Sequence, residues 1–291
     1  KPIIETATSN LLEKLAEQKE FDLMADYALV LPTEIIANML GIDDQTRPLL
    51  HDYSNKILGA LDPTISKQTL DEGNDAVTEF SDYLAGLIKH RRANPDEGGQ
   101  GDVLAALIFG EVDGETLSDV ELVQNCIFLL NAGHETTANL TANGIGILLD
   151  YPDQFKRLVE DPNLIETAVN EFLRFDSPVQ LGNRKLTDDV EMGGKVLKKD
   201  TYLHLALGGA NRDSDVFDDP ESVDIGRKKN PHFAFASGRH VCLGNTLAGI
   251  EGCIAIGKLI ERFPGLRPNG ERQRLRRARF RGYAHFPVAV S

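Results

Sequence analysis

FASGRHVCLG, Phe235 to Gly244, sets a single cysteine, Cys242, in a glycine-bracketed loop just ahead of an amphipathic helical run. A free thiol titrates near 8.5, and helix N-terminal amides together with a bound cation lower that value far enough for the thiolate to dominate at neutral pH. Cys242 is therefore a candidate soft ligand for iron. Gly238 permits a tight turn, and Gly244 removes a side chain where the chain must pass close to something flat. Phe235 can lie over the sulfur. The competing reading is a buried structural cysteine, the commoner fate of a lone Cys in a helical protein.

The decapeptide resembles the haem-ligand loop of the cytochrome P-450 family: F, two residues, G, three residues, C, one residue, G. All of those positions match. The family often has Gly where Ala236 stands, and Ala is nearly as compact. His240 falls where the family places a cation against a haem propionate. The resemblance implies a mainly α fold with a small β portion, the cytochrome P450 fold, N-terminally incomplete. It also implies haem b as cofactor, with Cys242 as axial iron ligand.

Composition agrees with a globular chain able to bury a large cofactor: 291 residues, 41% hydrophobic, 26% charged. A net charge of -14 argues against nucleic acid as a partner, because that binding relies on clustered Lys and Arg. The three cysteines form no paired framework, which fits a reducing compartment and a cytoplasmic location. Cys126 and Cys253 are expected to pack inside helices. No apolar run of about 18 residues suggests a membrane span.

Ile4, Ala7, Leu11, Leu12 and Leu15 already trace a helical stripe at the start, so the chain reads as beginning partway through a domain, with roughly the first quarter of the usual fold absent. Helices are expected near Ile3 to Gln18, Leu31 to Leu40, Thr46 to Leu61 and Ser66 to Arg92, punctuated by Gly41, Pro63 and the surface loop Asn94 to Gly101. That loop is too short to tether two domains, so one domain over 1–291 is expected.

The longest helix is predicted from Ser118 to Leu149, about 48 Å at 1.5 Å per residue. Val120, Val123, Ile127, Leu130, His134, Ala138, Thr141, Ile145 and Leu148 follow spacings of three and four, and Ser118 with Glu121 makes a capping box. Midway lies AGHETT, Ala132 to Thr137. Gly and Thr are poor helix-interior residues, so an interruption at Gly133 is expected. Taken alone this is a helix irregularity. A zinc-protease HExxH reading fails because the second histidine position is Ala138.

AGHETT resembles the oxygen-activating stretch of the family's distal helix, with Glu135 and Thr136 in the acid and alcohol positions. The resemblance implies that these two support proton delivery and that Ala132 and Gly133 line the cofactor. Glu171 and Arg174 lie three apart on a predicted helix from Asn163 to Phe175, which alone describes a solvated face. They match the family's E, two residues, R signature, a buried structural pair. ANRD, Ala210 to Asp213, with Phe217, Pro220 and Arg227, resembles the meander before the ligand loop, and Arg184 falls on a propionate-binding arginine. Residues 179–207 read as a small β region. A last helix is expected from Asn245 to Phe263.

The arginine-rich run Arg267 to Arg281 reads as a solvated hairpin face. Lys228, Lys229 and Arg239 are better candidates for docking an acidic redox partner. The chain carries no flavin or iron–sulfur motif, so the resemblance implies a ferredoxin and its reductase, with NAD(P)H acting only through them. The function expected is a haem-thiolate monooxygenase hydroxylating a small apolar substrate near Leu129, Ala132, Gln180 and Leu181. The alternatives are a peroxide-driven peroxygenase and a non-catalytic haem-binding protein or fragment.

Overall fold

A computed structural model describes residues 1–62, 65–97 and 102–290. Pro63 and the end of the expected surface loop, 98–101, lie outside the described residues. The chain begins with α1 (Pro2–Leu15), β1 (Glu20–Asp22) and a π-helical turn (Met24–Ala28), then α2 (Val30–Leu40), α3 (Arg47–Gly59), α4 (Lys67–Ala93) and α5 (Val103–Phe109). The long α6 (Asp119–Asp150) follows, then α7 (Pro152–Glu160) and α8 (Ile165–Phe175). The β region holds β2 (Leu181–Lys185), β3 (Val190–Met192), β4 (Lys195–Leu197) and β5 (Tyr202–Ala206), and leads into α9 (Leu207–Ala210). After a long irregular stretch come α10 (Asn245–Arg262) and the short strands β6 (Arg267–Pro268), β7 (Gln273–Arg274), β8 (Tyr283–His285) and β9 (Pro287–Ala289). Among the described residues no helix is long and apolar enough to cross a membrane.

Helix α6 organises the rest. Its start is the expected capping box: Ser118 N–H donates to Glu121 Oε2 at 2.9 Å, and Glu121 N–H donates to Ser118 Oγ at 3.4 Å. Its N-terminal half gives Leu122, Cys126 and Leu130 to a core shared with α2 to α5. Its C-terminal half gives Ala138, Leu140, Ala142, Ile145, Ile147 and Leu148 to a second core with α1, α8, α10 and β9. Val120, placed on the apolar stripe from spacing, is instead exposed in the first turn. The changeover between cores falls on AGHETT, where Asn131, His134, Glu135 and Thr137 are all buried.

The expected interruption at Gly133 does not occur, and α6 is helical throughout. The glycine serves close approach instead: a Cβ there would lie 2.7 Å from Ile36 Cδ1 of α2. Helix α10 crosses α6 by the same device, since a Cβ on Gly252 would meet Leu140 Cδ2 at 2.9 Å. Strand β9 pairs with β1 on one side and β6 on the other, tying the C-terminal residues to the first strand.

Glu251 of α10 is 3% exposed, and burial pushes its pKa from 4.5 up to about 8. It is therefore protonated in the folded protein at neutral pH. Below pH 4.5 folded and unfolded chains both hold the proton. Between 4.5 and 8 only the folded chain does, so this group's contribution to stability falls as pH rises. E251Q is expected to raise stability at pH 7 by about 2–3 kcal/mol and to flatten the slope over that window, as read by urea unfolding at pH 5 and pH 8.

Candidate functional site

The loop Phe235 to Gly244 is a set of nested turns. Ala236 N–H donates to Phe233 O at 2.8 Å, Val241 N–H to Gly238 O at 3.1 Å and Cys242 N–H to Phe235 O at 2.9 Å. Those bonds carry the chain into α10 and leave Cys242 exposed at its entrance, with Leu243 96% exposed beside it. Phe235 is half-buried, packed against the core and 6.0 Å from His232, centroid to centroid. It anchors the turn and leaves the thiol open, rather than keeping water from it. His240 and Arg239 are exposed in the short turn Gly238–His240.

Gly238 has φ +67° and Ala236 φ +55°. The alanine is thus no neutral exchange for glycine: the cost lies in its left-handed backbone, not its size. A236G is expected to stabilise the protein by about 0.5–1 kcal/mol, the strain relieved exceeding the extra unfolded-state entropy of glycine. Equilibrium urea unfolding measures it.

On α6, Phe128, Ala132 and Thr136 follow at intervals of four and share one stripe. Phe128 is 67% exposed, Ala132 is exposed and Thr136 is partly so. Thr136 Oγ1 donates to Ala132 O at 2.6 Å, satisfying the hydroxyl within the helix. From the crossing at Leu140 and Gly252, Thr136 and Cys242 both lie toward the N-terminal ends of their helices. Arg184 is half-buried on β2, where its Nη1 donates to Asn183 O at 2.7 Å.

Glu135, about 100° round the helix from Thr136, is buried where Thr136 is partly exposed. Its carboxylate accepts from Arg277 Nη1 at 2.7 and 2.6 Å, and Arg277 Nη2 also donates to Asn55 Oδ1 at 2.6 Å. Burial raises the pKa of Glu135, and Arg277 opposes the shift. The expected solvated face of the arginine-rich run holds for Arg267, Arg274, Arg276 and Arg281, which are exposed, although Arg274 and Arg281 pair with Asp176 and the half-buried Arg272 with the exposed Asp150. It is corrected at Arg277, which the buried Glu135 carboxylate draws inward.

A cavity of about 160 Å³ adjoins Glu135, lined by His51, Asn55, His134, Asn139 and Tyr283 among others. Both ring nitrogens of His134 and both amide atoms of Asn139 are buried without a protein partner. The walls are mainly apolar, with Met24, Leu29, Leu275 and Ala284, so the few polar groups of His51, Asn55, His134, Glu135 and Asn139 are where ordered water would bind. Burial holds the pKa of His134 down to about 3, so its ring is neutral at neutral pH. Its stabilising contribution is complete above pH 6.5 and is lost as pH falls from there towards 3.

Glu171 and Arg174 are both fully buried and joined by two 2.8 Å hydrogen bonds. Arg227 Nε adds a 3.1 Å contact to the same carboxylate. Lys228, Lys229 and Arg239 are exposed on the side of the ligand loop. Gln180 and Leu181 are half-buried, and the Gln180 amide is committed to Ser177 O at 2.7 Å.

Residues 1–277 match the family model for cytochrome P450. The chain belongs to the cytochrome P450 family. It is 37% identical over 264 residues to the biotin biosynthesis cytochrome P450 of Bacillus subtilis, covering 91% of this chain and 65% of that protein. With the vitamin D(3) 25-hydroxylase of Pseudonocardia autotrophica it shares 38% identity over 266 residues, 91% of this chain and 64% of the relative. The chain thus spans less than two thirds of the length of these P450s. Among solved structures it superposes on P450BioI in complex with hexadec-9Z-enoic acid-ligated acyl carrier protein with a TM-score of 0.94 at 35% identity, covering all of this chain and 74% of that one. CYP109E1 of Bacillus megaterium in complex with testosterone gives a TM-score of 0.90 at 32% identity, covering 100% and 78%. The mainly α P450 fold with small sheets is therefore this chain's fold, and haem b is the cofactor of its family.

Residues of the site fit that cofactor. An exposed thiol sits at a helix entrance, and a Cβ built on Gly244 would make only ordinary contact with Cys242 Sγ at 4.0 Å, so the surroundings of the sulfur are open. Apolar Val241, Leu243, Phe128 and Ala132 are exposed toward solvent, and the His240 ring and the Arg184 guanidinium supply N–H donors for carboxylates. This donor set suits an iron porphyrin: soft sulfur for the metal, apolar surface for the ring, N–H donors for propionates.

Proposed function

We propose that the protein is a haem-thiolate monooxygenase that inserts one oxygen atom of O2 into a small apolar organic substrate, with electrons from a separate ferredoxin-type partner. The observation that carries this reading is the exposed Cys242 thiol on its hydrogen-bonded turn, in a chain whose distal helix presents Thr136 on an open stripe and Glu135 on the adjacent face. When bound, haem iron supplies oxygen activation, and an axial thiolate favours cleavage of the oxygen–oxygen bond.

Cys242 would hold the iron, Arg184 and His240 the propionates, and Phe235, Gly238 and Gly244 the shape of the loop. Ala132 would leave room on the opposite face; the expected lining role of Gly133 is corrected, because the space it leaves is taken by Ile36 of α2. Thr136 carries its hydroxyl on the open stripe of α6 and Glu135 its carboxylate toward the cavity, so the pair joins two adjacent faces of the helix. The cavity leads from His51 and Asn55, exposed on α3, to the Glu135 carboxylate. Protons can pass inward along its polar groups without opening the apolar side to bulk water. Arg277 holds the acid in place and opposes the upward shift that burial gives its pKa.

Two relatives are solved in complex with a fatty-acid-ligated acyl carrier protein and with testosterone, and the fatty acid and the steroid are largely apolar, which supports an apolar substrate body here. Lys228, Lys229 and Arg239 offer an acidic redox protein a basic footing in an otherwise acidic chain. A carbon monoxide difference spectrum of the reduced haem-loaded protein tests the reading: a strongly red-shifted Soret band is expected. Haem bound without that band would favour a non-catalytic haem protein, and turnover with hydrogen peroxide alone would favour a peroxygenase.

A further inference from the structure

Arg279 differs from the arginines around it. Arg272, Arg274, Arg277 and Arg281 each meet a carboxylate, whereas Arg279, between the last two, has none within ion-pair distance among the described residues. Arg276 is exposed and needs none. Arg279 is half-buried, and its Nε is buried with no hydrogen-bond partner. With the Asn183 amide turned so that its carbonyl faces the guanidinium, Nη2 donates to it at 2.6 Å. A neutral amide does not balance the charge, and an unmet buried donor on a cation is costly.

The position is informative. Arg277, two residues earlier, grips Glu135 beside Thr136. Arg279 O accepts from Gln180 N–H at 2.8 Å, and its side chain reaches Asn183, the neighbour of Arg184 on β2. Two residues span at most about 7 Å. Arg279 therefore stands between the distal helix and the strand bearing the expected propionate contact.

We propose that Arg279 is a specificity-determining residue that grips a carboxylate on an otherwise apolar substrate, an inference that rests on the haem-thiolate reading. Nε is sealed inside, so the fork offered to a carboxylate is Nη1, which has no partner among the described residues, with the Nη2 hydrogen that Asn183 does not use. A doubly charged phosphate fits less well: a single cation faces it, and the Asp62 carboxylate, which accepts from Arg279 N–H at 3.5 Å, repels a dianion more than it repels a carboxylate.

The test is calorimetric titration of the haem-loaded protein with dodecanoate, abietate and 4-phenylbutyrate, each against its methyl ester. At least one acid is expected to bind about tenfold or more tightly than its ester. R279Q should abolish that preference and R279K retain part of it, with the carbon monoxide band kept in both. Equal binding of acid and ester throughout, or a preference that survives R279Q, overturns the proposal while leaving the haem-thiolate reading intact. Loss of haem from R279Q with the parent's acid preference absent would assign Arg279 to a propionate and also overturn it. Absence of the band from the parent protein defeats the underlying reading instead.

Discussion

Replacing Cys242 by serine is expected to remove the red-shifted carbon monoxide band and to lower turnover by roughly a thousandfold or more, about 4 kcal/mol of barrier. A serine hydroxyl stays protonated at neutral pH and offers a hard oxygen, so it can neither bind the iron as an anion nor donate charge as sulfur does. The loop itself should survive. Its turn is closed by the backbone N–H of Cys242 and not by the sulfur, so C242S should change folding stability by no more than about 0.5 kcal/mol.

The other two cysteines cannot substitute. Burial pushes the thiols of Cys126 and Cys253 up to about 11, which keeps them protonated. Iodoacetamide labelling of the haem-free protein should therefore fall on Cys242 and spare those two, and haem loading should suppress it. A C242S protein that keeps the parent's band and product formation would refute the assignment of the axial ligand.

Much of this site could be read from residue order because its chemistry is local. A cysteine bracketed by glycines, an acid–alcohol pair within one helical turn and a capping box three residues long all lie within windows of ten residues or fewer. The helix boundaries of α2, α4 and α10 came within about a residue for the same reason, since caps and apolar periodicity are nearest-neighbour signals. What escaped is non-local. Arg277 lies 142 residues from Glu135, and nothing in a run of arginines reveals that a buried carboxylate elsewhere claims one of them.

The same limit explains Gly133. Its poor helix propensity argues for a break, but the helix holds because Ile36 needs the space, a tertiary contact that propensity does not contain. His51 and Asn139 carried no signal at all, being ordinary residues that become notable only when α3, α6 and β8 enclose one cavity. Strand β1 was missed because three residues form a strand only when β9, from the other end of the chain, lies beside them.

The second large effect belongs to Arg174. All five of its N–H groups are used: Nε and Nη2 on Glu171, Nη1 on the carbonyls of Asn211 and Pro220, and Nη2 again on Ser222 O, at 2.8 to 3.1 Å. One side chain thus fastens α8 to the irregular stretch that leads into the Cys242 loop. R174A orphans the carbonyls of Asn211 and Ser222, leaves Pro220 O only a 3.4 Å contact from Arg212, leaves a cavity and strips a buried carboxylate of its main partner, for an expected loss of about 3–5 kcal/mol. Against a typical total of 5–15 kcal/mol, that endangers the fold and the haem loop together.

R174K keeps the charge but not the planar fork, so it should recover only part of the loss. Glu171 also accepts from Asp224 N–H at 3.0 Å, Arg227 Nε and Asn230 Nδ2 at 3.1 Å, so E171A strands two cations and should cost at least as much as R174A. Since both substitutions break one network, the double variant should be more stable than the sum of the two losses predicts, by more than about 1 kcal/mol. Urea unfolding of the four proteins measures the cycle. Single losses below about 1 kcal/mol, or strict additivity, would show that the pair is not what joins α8 to the ligand loop.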